Sequence, residues 1–469
     1  MLAKLLANAD RGSIVAPAGF GKTHLIAESI SHQSKGRALI LTHTYAGVDA
    51  LKRRLSILRI STKDFTVETI AAFALKYCIG YPKLAVLSTD KPKTEAEWRG
   101  IYIGFTNALQ SKGIRNVIST SYSGFYVDEY QDCSEGQHEI VLKLAEILPC
   151  RVLGDPLQSI FNFKGTPTVI WDKHVTPNFK VIGQMDKPWR WEKGNVALGD
   201  WLKKSRESLI SKGVIEIEKD SPVNWVKCAS NDANAKSKIC WDFLKAEGTT
   251  AVLKEWRTEC VALAWRLGGN YSPIETMECR MLMDTAKALD NSTGIKRAET
   301  LINFAVECFT GVKTEFASAN RRLLGDDKRL KPFKFPEQLE RLRVCMDNFS
   351  PTNAVAFLES IRDRKDIFVL ICKELYFEML RALEEFSRAT YPSLEETAWH
   401  TRNITRKTGR TIRSHVIGTT LLVKGLEYDN VIVLDPERYD INNLYVAITR
   451  GSKTLTIASP SPLLTPKKT

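Results

Sequence analysis

The chain has 469 residues, with 67 Lys and Arg against 54 Asp and Glu, for a formal net charge of +13. Hydrophobic residues at 43% and charged residues at 26% are ordinary globular proportions, which argues against a disordered chain, and no apolar run approaches the roughly 20 residues of a membrane helix. Ten cysteines stand singly, without a CxxC pair or a His at finger spacing, and predict buried reduced thiols in a cytoplasmic protein, not a disulfide framework or a zinc site. Met1–Asp10 has no apolar core or small-residue cleavage site of the kind an export signal needs. The positive balance hints only weakly at a polyanionic partner.

Taken in chain order, Ser13–Val15 predicts a strand that enters a Gly-rich turn and then a helix at His24–His32. Ala38–Thr42 predicts a second strand, followed by a helix around Val48–Leu58. Phe125–Val127 and Arg151–Leu153 predict two more strands, with the helical Gln137–Ile147 between them. Strands return at Thr249–Leu253, Val416–Thr420, Asn430–Leu434 and Thr454–Ala458. The stretch from about Asn270 to Thr401 has helical spacing in Leu301–Phe309, Ala354–Ile361 and Glu374–Phe386. Strand–helix alternation predicts an α/β fold with parallel sheets, in two units, the second split by mostly helical sequence.

Ala16-Pro-Ala-Gly-Phe-Gly-Lys-Thr23 lies between a predicted strand and a predicted helix, the context a P-loop requires. Ala18, Gly19 and Gly21 would turn backbone N–H groups toward phosphate oxygens, and the helix adds its positive end. Lys22 would reach the β- and γ-phosphates of ATP, and the Thr23 hydroxyl would ligate Mg²⁺. Ala16 stands where the strict pattern has Gly. Tyr126-Val-Asp-Glu-Tyr-Gln-Asp132 is an apolar strand ending in carboxylates. Asp128 would hold Mg²⁺ through water and Glu129 would polarise the attacking water. Neighbouring strand ends of one sheet would bring the two segments together.

Asp128–Asp132 with Gly154-Asp-Pro-Leu-Gln-Ser-Ile-Phe-Asn-Phe-Lys-Gly165 resembles motifs II and III of the UvrD/Rep/PcrA branch of superfamily 1 helicases. Further blocks follow in that family's order. Leu41-Thr-His-Thr44 resembles motif Ia, Thr69-Ile-Ala-Ala-Phe73 motif Ib and Pro188-Trp-Arg190 motif IV. Thr419 through Lys424-Gly-Leu-Glu-Tyr428 resembles motif V, and Leu444-Tyr-Val-Ala-Ile-Thr-Arg450 motif VI. The resemblance implies two RecA-like P-loop NTPase domains with small, mostly helical insertions. It places the first domain at 1–74 and 116–185 with a small insertion at 75–115, and the second at 186–269 and 402–469 with a helical insertion at 270–401. It implies an ATP hydrolase that moves 3′ to 5′ on single-stranded DNA or at single/double-strand junctions, needs Mg²⁺ and has no membrane partner.

The same resemblance implies residue roles. Gln158 would sense the γ-phosphate, and Arg190 and Arg450 would close on it from the second domain. Trp189 would stack on the nucleotide base and Glu427 would contact the ribose. Phe163 would stack on a DNA base, and Thr44, Thr69 and Thr419 would hold backbone phosphates. The chain departs from the family pattern in several places. No Gln precedes Gln33 to read adenine, Leu421 replaces the usual His, Lys164 replaces an Arg, and Ile441-Asn442 replaces a basic pair. The compact layout also resembles the helicase subunit of Gabija-type anti-phage systems. That likeness implies an alternative, a nucleotide-controlled DNA-sensing subunit that regulates an ATPase–nuclease partner.

Two basic stretches remain. Lys328-Arg-Leu-Lys-Pro-Phe-Lys-Phe335 reads either as a loop tethered by two core Phe or as a DNA contact. Thr401–Ser414 carries Arg402, Arg406, Lys407, Arg410 and Arg413 with no acid, and phosphate contact is the expectation there.

Overall fold

The computed structural model describes residues 1–33, 36–92, 94–161, 167–274, 280–326, 331–408 and 414–467. The first sheet is built from β1 (Arg11–Val15), β2 (Ala38–Thr42), β3 (Phe65–Thr69), β4 (Gly124–Val127), β5 (Cys150–Gly154) and β6 (Val181–Gln184), in the order β3-β2-β4-β5-β1-β6. All its pairings are parallel. Its residues alternate between two cores. Ile14, Ile40, Tyr126 and Leu153 face one side, and Leu39, Leu41, Phe125, Val127 and Val152 the other. A parallel sheet covered on both faces needs such near-continuous apolar strands.

After β7 (Ile215–Glu216) comes the second sheet. It contains β8 (Asn224–Lys227), β9 (Thr250–Leu253), β10 (Ser272–Pro273), β11 (His415–Gly418), β12 (Tyr428–Leu434) and β13 (Gly451–Ser459). The order is β10-β11-β9-β12-β13-β8, again wholly parallel. β14 (Leu463–Leu464) returns antiparallel onto β7. The α/β class and the two parallel-sheet units match the expectation. Of the strands not predicted, β3 and β6 are edges of the first sheet, and β8 and β10 edges of the second.

The helices from Arg280–Asn291 to Leu394–Thr408 do not form a separate body. Leu301, Phe304, Phe357 and Leu383 share one core with Val252, Ile417, Ile432 and Leu434 of the second sheet. The segment 75–115 is likewise a layer on the first sheet. The helix Glu95–Ala108, opened by a Thr94/Glu97 capping box, buries Ile101, Phe105 and Ala108 into the core that holds Phe73 and Phe125.

The nine described cysteines are buried. Among the described residues no helix is long and apolar enough to cross a membrane. Phe335 is buried and Phe333 packs edge-on against it, so the two-Phe tether is present. Arg402 corrects an expectation: it is buried and paired with Glu378, and also lies 3.8 Å from Glu374, so it is not a phosphate contact. The side chains of Arg406, Lys407, Arg410 and Arg413, and residue Lys328, lie outside the described residues.

Candidate functional site

A cavity of about 380 Å³ opens where the carboxyl ends of the first sheet's strands meet the second unit. The P-loop leaves β1 and enters the helix Lys22–Ser31. Gly19 (φ 75°) and Gly21 (φ 90°) are in the left-handed region that favours glycine. A Cβ on Gly19 would sit 2.5 Å from the ring of Trp191, so the close approach also demands glycine. Lys22 is buried, with its Nζ 3.2 Å from the Ala16 carbonyl and 3.6 Å from Glu129. The Thr23 hydroxyl lies 3.5 Å from Asp128 Oδ2. One expectation needs correction: β5 stands between β1 and β4, so the two strand ends are not adjacent. The first turn of the helix after β1 spans the gap instead.

Glu129 follows β4 with φ 53°, a left-handed conformation that costs a non-glycine residue roughly 1–3 kcal/mol and is tolerated where a site needs it. Its N–H donates to Asp128 Oδ1 at 2.9 Å, and the Gln131 amide donates to its carboxylate at 2.5 Å. Burial, then the adjacent Glu129 charge, pushes Asp128 up to about 7. Burial pushes Glu129 up as well, but Lys22 and Lys424 outweigh it and hold it at about 2. The arrangement therefore keeps one carboxylate ionised beside another that would release its proton to a cation.

The second unit supplies the opposite wall. Arg190 N–H donates to the Gly19 carbonyl at 3.0 Å. Its guanidinium donates to the Thr449 carbonyl at 2.5 Å and pairs with Glu427 at 2.6 Å. Arg450 is 2% exposed and donates to Gln158 Oε1 at 3.2 Å and Thr449 Oγ1 at 2.8 Å. Burial, then the neighbouring Arg190 charge, lowers Arg450 to about 10. Gln158 donates in turn to Asp155, which Arg206 holds at 3.0 Å. Trp189 is 51% exposed at the cleft mouth, with the Lys187 ammonium 3.9 Å from its ring centre.

Thus Lys22, Thr23, Asp128, Glu129, Gln158, Trp189, Arg190, Glu427 and Arg450 line one cavity. A hydroxyl and a carboxylate are hard oxygen donors of the kind Mg²⁺ takes alongside phosphate. Two positive-φ glycines and a buried lysine fit a polyphosphate. The donor set suits Mg²⁺ and ATP.

The family model for the UvrD/REP helicase N-terminal domain matches residues 85–173, less than half of the chain. That stretch contains Asp128–Asp132 and Gln158. No curated protein matches the chain. Among solved structures, arterivirus nonstructural protein 10, a helicase in complex with DNA, aligns at 10% identity and TM-score 0.37, covering 98% of this chain and 63% of that one. A PRRSV helicase aligns at 13% identity and TM-score 0.27, covering 53% of this chain and 42% of its own. The chain thus spans less than two thirds of either protein, and at these scores the likeness carries no functional weight.

The expected DNA contacts are placed less uniformly. Thr44 lines the same cavity and caps the helix Tyr45–Ile57, accepting from Gly47 N–H at 3.1 Å. Thr69 is buried and accepts from Ala72 N–H at 3.0 Å, so its hydroxyl is committed as a cap. Thr419 is half-buried at the start of Thr420–Val423 and makes no side-chain cap bond. Phe163 lies outside the described residues. Its near neighbour Phe161 packs 5.2 Å from the His43 ring and 4.9 Å from the Lys424 ammonium.

The residues that sequence reasoning passed over are those joining the two units. Lys424 pairs with Asp132 at 2.6 Å and also donates to the Gln158 carbonyl. Asn442 donates to the Ser159 carbonyl at 2.7 Å, and Ala18 N–H donates to the Tyr445 hydroxyl at 3.2 Å. Trp191, fully buried, donates to the Gly451 carbonyl at 2.7 Å within the second unit, and its ring closes against Gly19 of the first. Each lies in or beside a motif block, but nothing in their spacing announces a cross-unit partner.

Proposed function

We propose that the chain is an ATP-driven helicase or translocase of the superfamily 1 type, moving 3′ to 5′ on single-stranded DNA. The observation that carries the reading is one cleft in which Lys22, Asp128 and Glu129 of the first unit face Arg190 and Arg450 of the second. Lys22 and the P-loop N–H groups bind and orient the β- and γ-phosphates. Thr23 and Asp128 would hold Mg²⁺, which supplies charge neutralisation at the phosphates when bound. Glu129, kept ionised, takes the proton of the attacking water. Arg190 and Arg450 neutralise charge on the transferring phosphoryl group, worth roughly 10³–10⁵ in rate. Because they arrive from the other unit, hydrolysis is tied to closure of the cleft, and the Gln158–Arg450 bond would carry that state to the loop holding Phe161.

The test is Mg²⁺-dependent ATP hydrolysis with and without single-stranded DNA. Stimulation by DNA that disappears in Lys22→Ala supports the motor, and full-rate hydrolysis without DNA overturns it.

One feature favours a second reading, a nucleotide-controlled DNA sensor that regulates a nuclease partner. The described residues of segment 75–115 are layered on the first sheet, with Ile101, Phe105 and Ala108 in its core, a packed arrangement in place of a separate arm. Strand displacement by the isolated chain supports the first reading, and activity only in a complex supports the second.

A further inference from the structure

We propose that the groove along the outer edge of β3 is a second nucleic-acid site, gripping the phosphate backbone of a strand as it leaves the cleft. The proposal rests on the nucleic-acid reading above. Among the described residues β3 pairs only with β2, which leaves its other edge unpaired. Four successive residues, Phe65–Glu68, line a cavity of about 690 Å³ there.

The chemistry of the groove is cationic and hydroxylic. Arg37, Lys52 and Arg59 line it, as do Ser56, Thr62 and Thr66. Its one carboxylate, Glu68, is held by Lys76 at 3.0 Å. Arg37 is fixed in place by donating to the Phe65 carbonyl at 3.1 Å and the Thr62 carbonyl at 3.4 Å. Lys52 and Arg59 are exposed and have no ion-pair partner among the described residues.

Arg59 is the informative residue. It follows the helix Tyr45–Ile57 with φ 55°, and the Ile60 N–H returns to the Leu55 carbonyl at 3.0 Å. This left-handed helix-end position suits glycine, and a side chain there costs about 1 kcal/mol. The chain bears that cost and gains a guanidinium in the groove. The aromatic ring in the lining, Phe65, is buried, so the site grips phosphates and does not read bases. An open strand edge could also pair with another strand, but the unpaired positive charge and the three hydroxyls favour phosphate.

The helix Tyr45–Ile57 joins the two sites. Gly47, Ala50 and Arg54 line the nucleotide cleft, and Lys52 and Ser56 line the groove. A strand held near Thr44 therefore has to cross only one helix to enter it. Four strand residues extend about 13 Å, the length of about four phosphates of one strand at duplex spacing.

The experiment is fluorescence anisotropy with oligothymidines of about 8 and about 25 nucleotides, comparing the full chain with Lys52→Gln/Arg59→Gly. Arg59→Gly relieves the backbone strain, so the melting temperature should not fall below that of the parent. The expected result is roughly tenfold weaker binding of the long oligomer at 0.1 M salt, a salt slope reduced by about 1.4, and unchanged binding of the short one. Equal loss for both lengths, or none for either, overturns the proposal. So does an alternating Glu-Val peptide that binds the parent chain, measured by its own anisotropy, and leaves the affinity for long oligothymidine unchanged. If the parent chain binds neither oligomer, the nucleic-acid reading itself fails, an outcome distinct from a parent that binds both lengths and a variant that matches it.

Discussion

The ammonium of Lys424, from the second unit, lies 2.6 Å from both carboxylate oxygens of Asp132, from the first, and both side chains are buried. A pair this enclosed stabilises only while both partners are present, because the survivor is left as an uncompensated buried charge. Lys424→Met is expected to destabilise the protein by roughly 3 kcal/mol and to weaken DNA stimulation of ATP hydrolysis. Lys424→Met/Asp132→Leu should recover most of the stability without the stimulation. Thermal melts and ATPase assays on the same preparations separate the two effects.

Arg190→Ala and Arg450→Ala should each lower kcat for ATP by roughly 10³-fold while leaving nucleotide affinity much closer to the parent. Single-turnover hydrolysis and equilibrium nucleotide binding check this. Arg190→Lys is expected to rescue poorly, since a single ammonium cannot replace the fork that meets both Thr449 and Glu427.

Asp128 predicts an unusual pH dependence. It sits at about 7 in the folded chain, against an ordinary value of 3.8. Between about pH 4 and 7 the folded state therefore keeps a proton that the unfolded chain has released. Stability from this group falls as pH rises through that window and is lowest above it. Asp128→Asn should abolish Mg²⁺-dependent hydrolysis. It should also melt progressively higher than the parent as pH goes from 5 to 8. A melting difference that does not change with pH would refute the assignment.

Gly19→Ala places a methyl group 2.5 Å from the Trp191 ring at a residue with φ 75°. Because Trp191 is fully buried, the ring cannot move away cheaply. Loss of nucleotide binding is expected, together with a lower melting temperature. Trp189→Ala, by contrast, removes a half-exposed ring and should leave stability unchanged while raising KM for ATP about tenfold. Steady-state kinetics and melts of the two variants give opposite patterns.

The inner strands were legible because they are buried on both faces and carry unbroken apolar runs: Ala38–Leu41, Phe125–Val127 and Val431–Leu434. Edge strands such as Val181–Gln184, exposed at both ends, lack that signal. The P-loop and the acidic strand end announce themselves because phosphate and Mg²⁺ demand fixed residue types at fixed spacing. Lys424, Asn442 and Trp191 do not, since a bond between residues hundreds of positions apart leaves no local pattern. Arg402 shows the converse error. A run of basic residues suggests a solvated surface, but its partner Glu378 comes from another helix and draws it inside.

The chain passes from the first sheet to the second only once, between β6 and β8, and Trp189, Arg190 and Trp191 lie on that passage. The covalent crossing between the sheets and the mouth of the cleft therefore share the same few residues. A ligand seated against Trp189 and Arg190 would bear on the very backbone that joins the halves. A variant that stiffens this passage should change ligand affinity and the approach of the halves together.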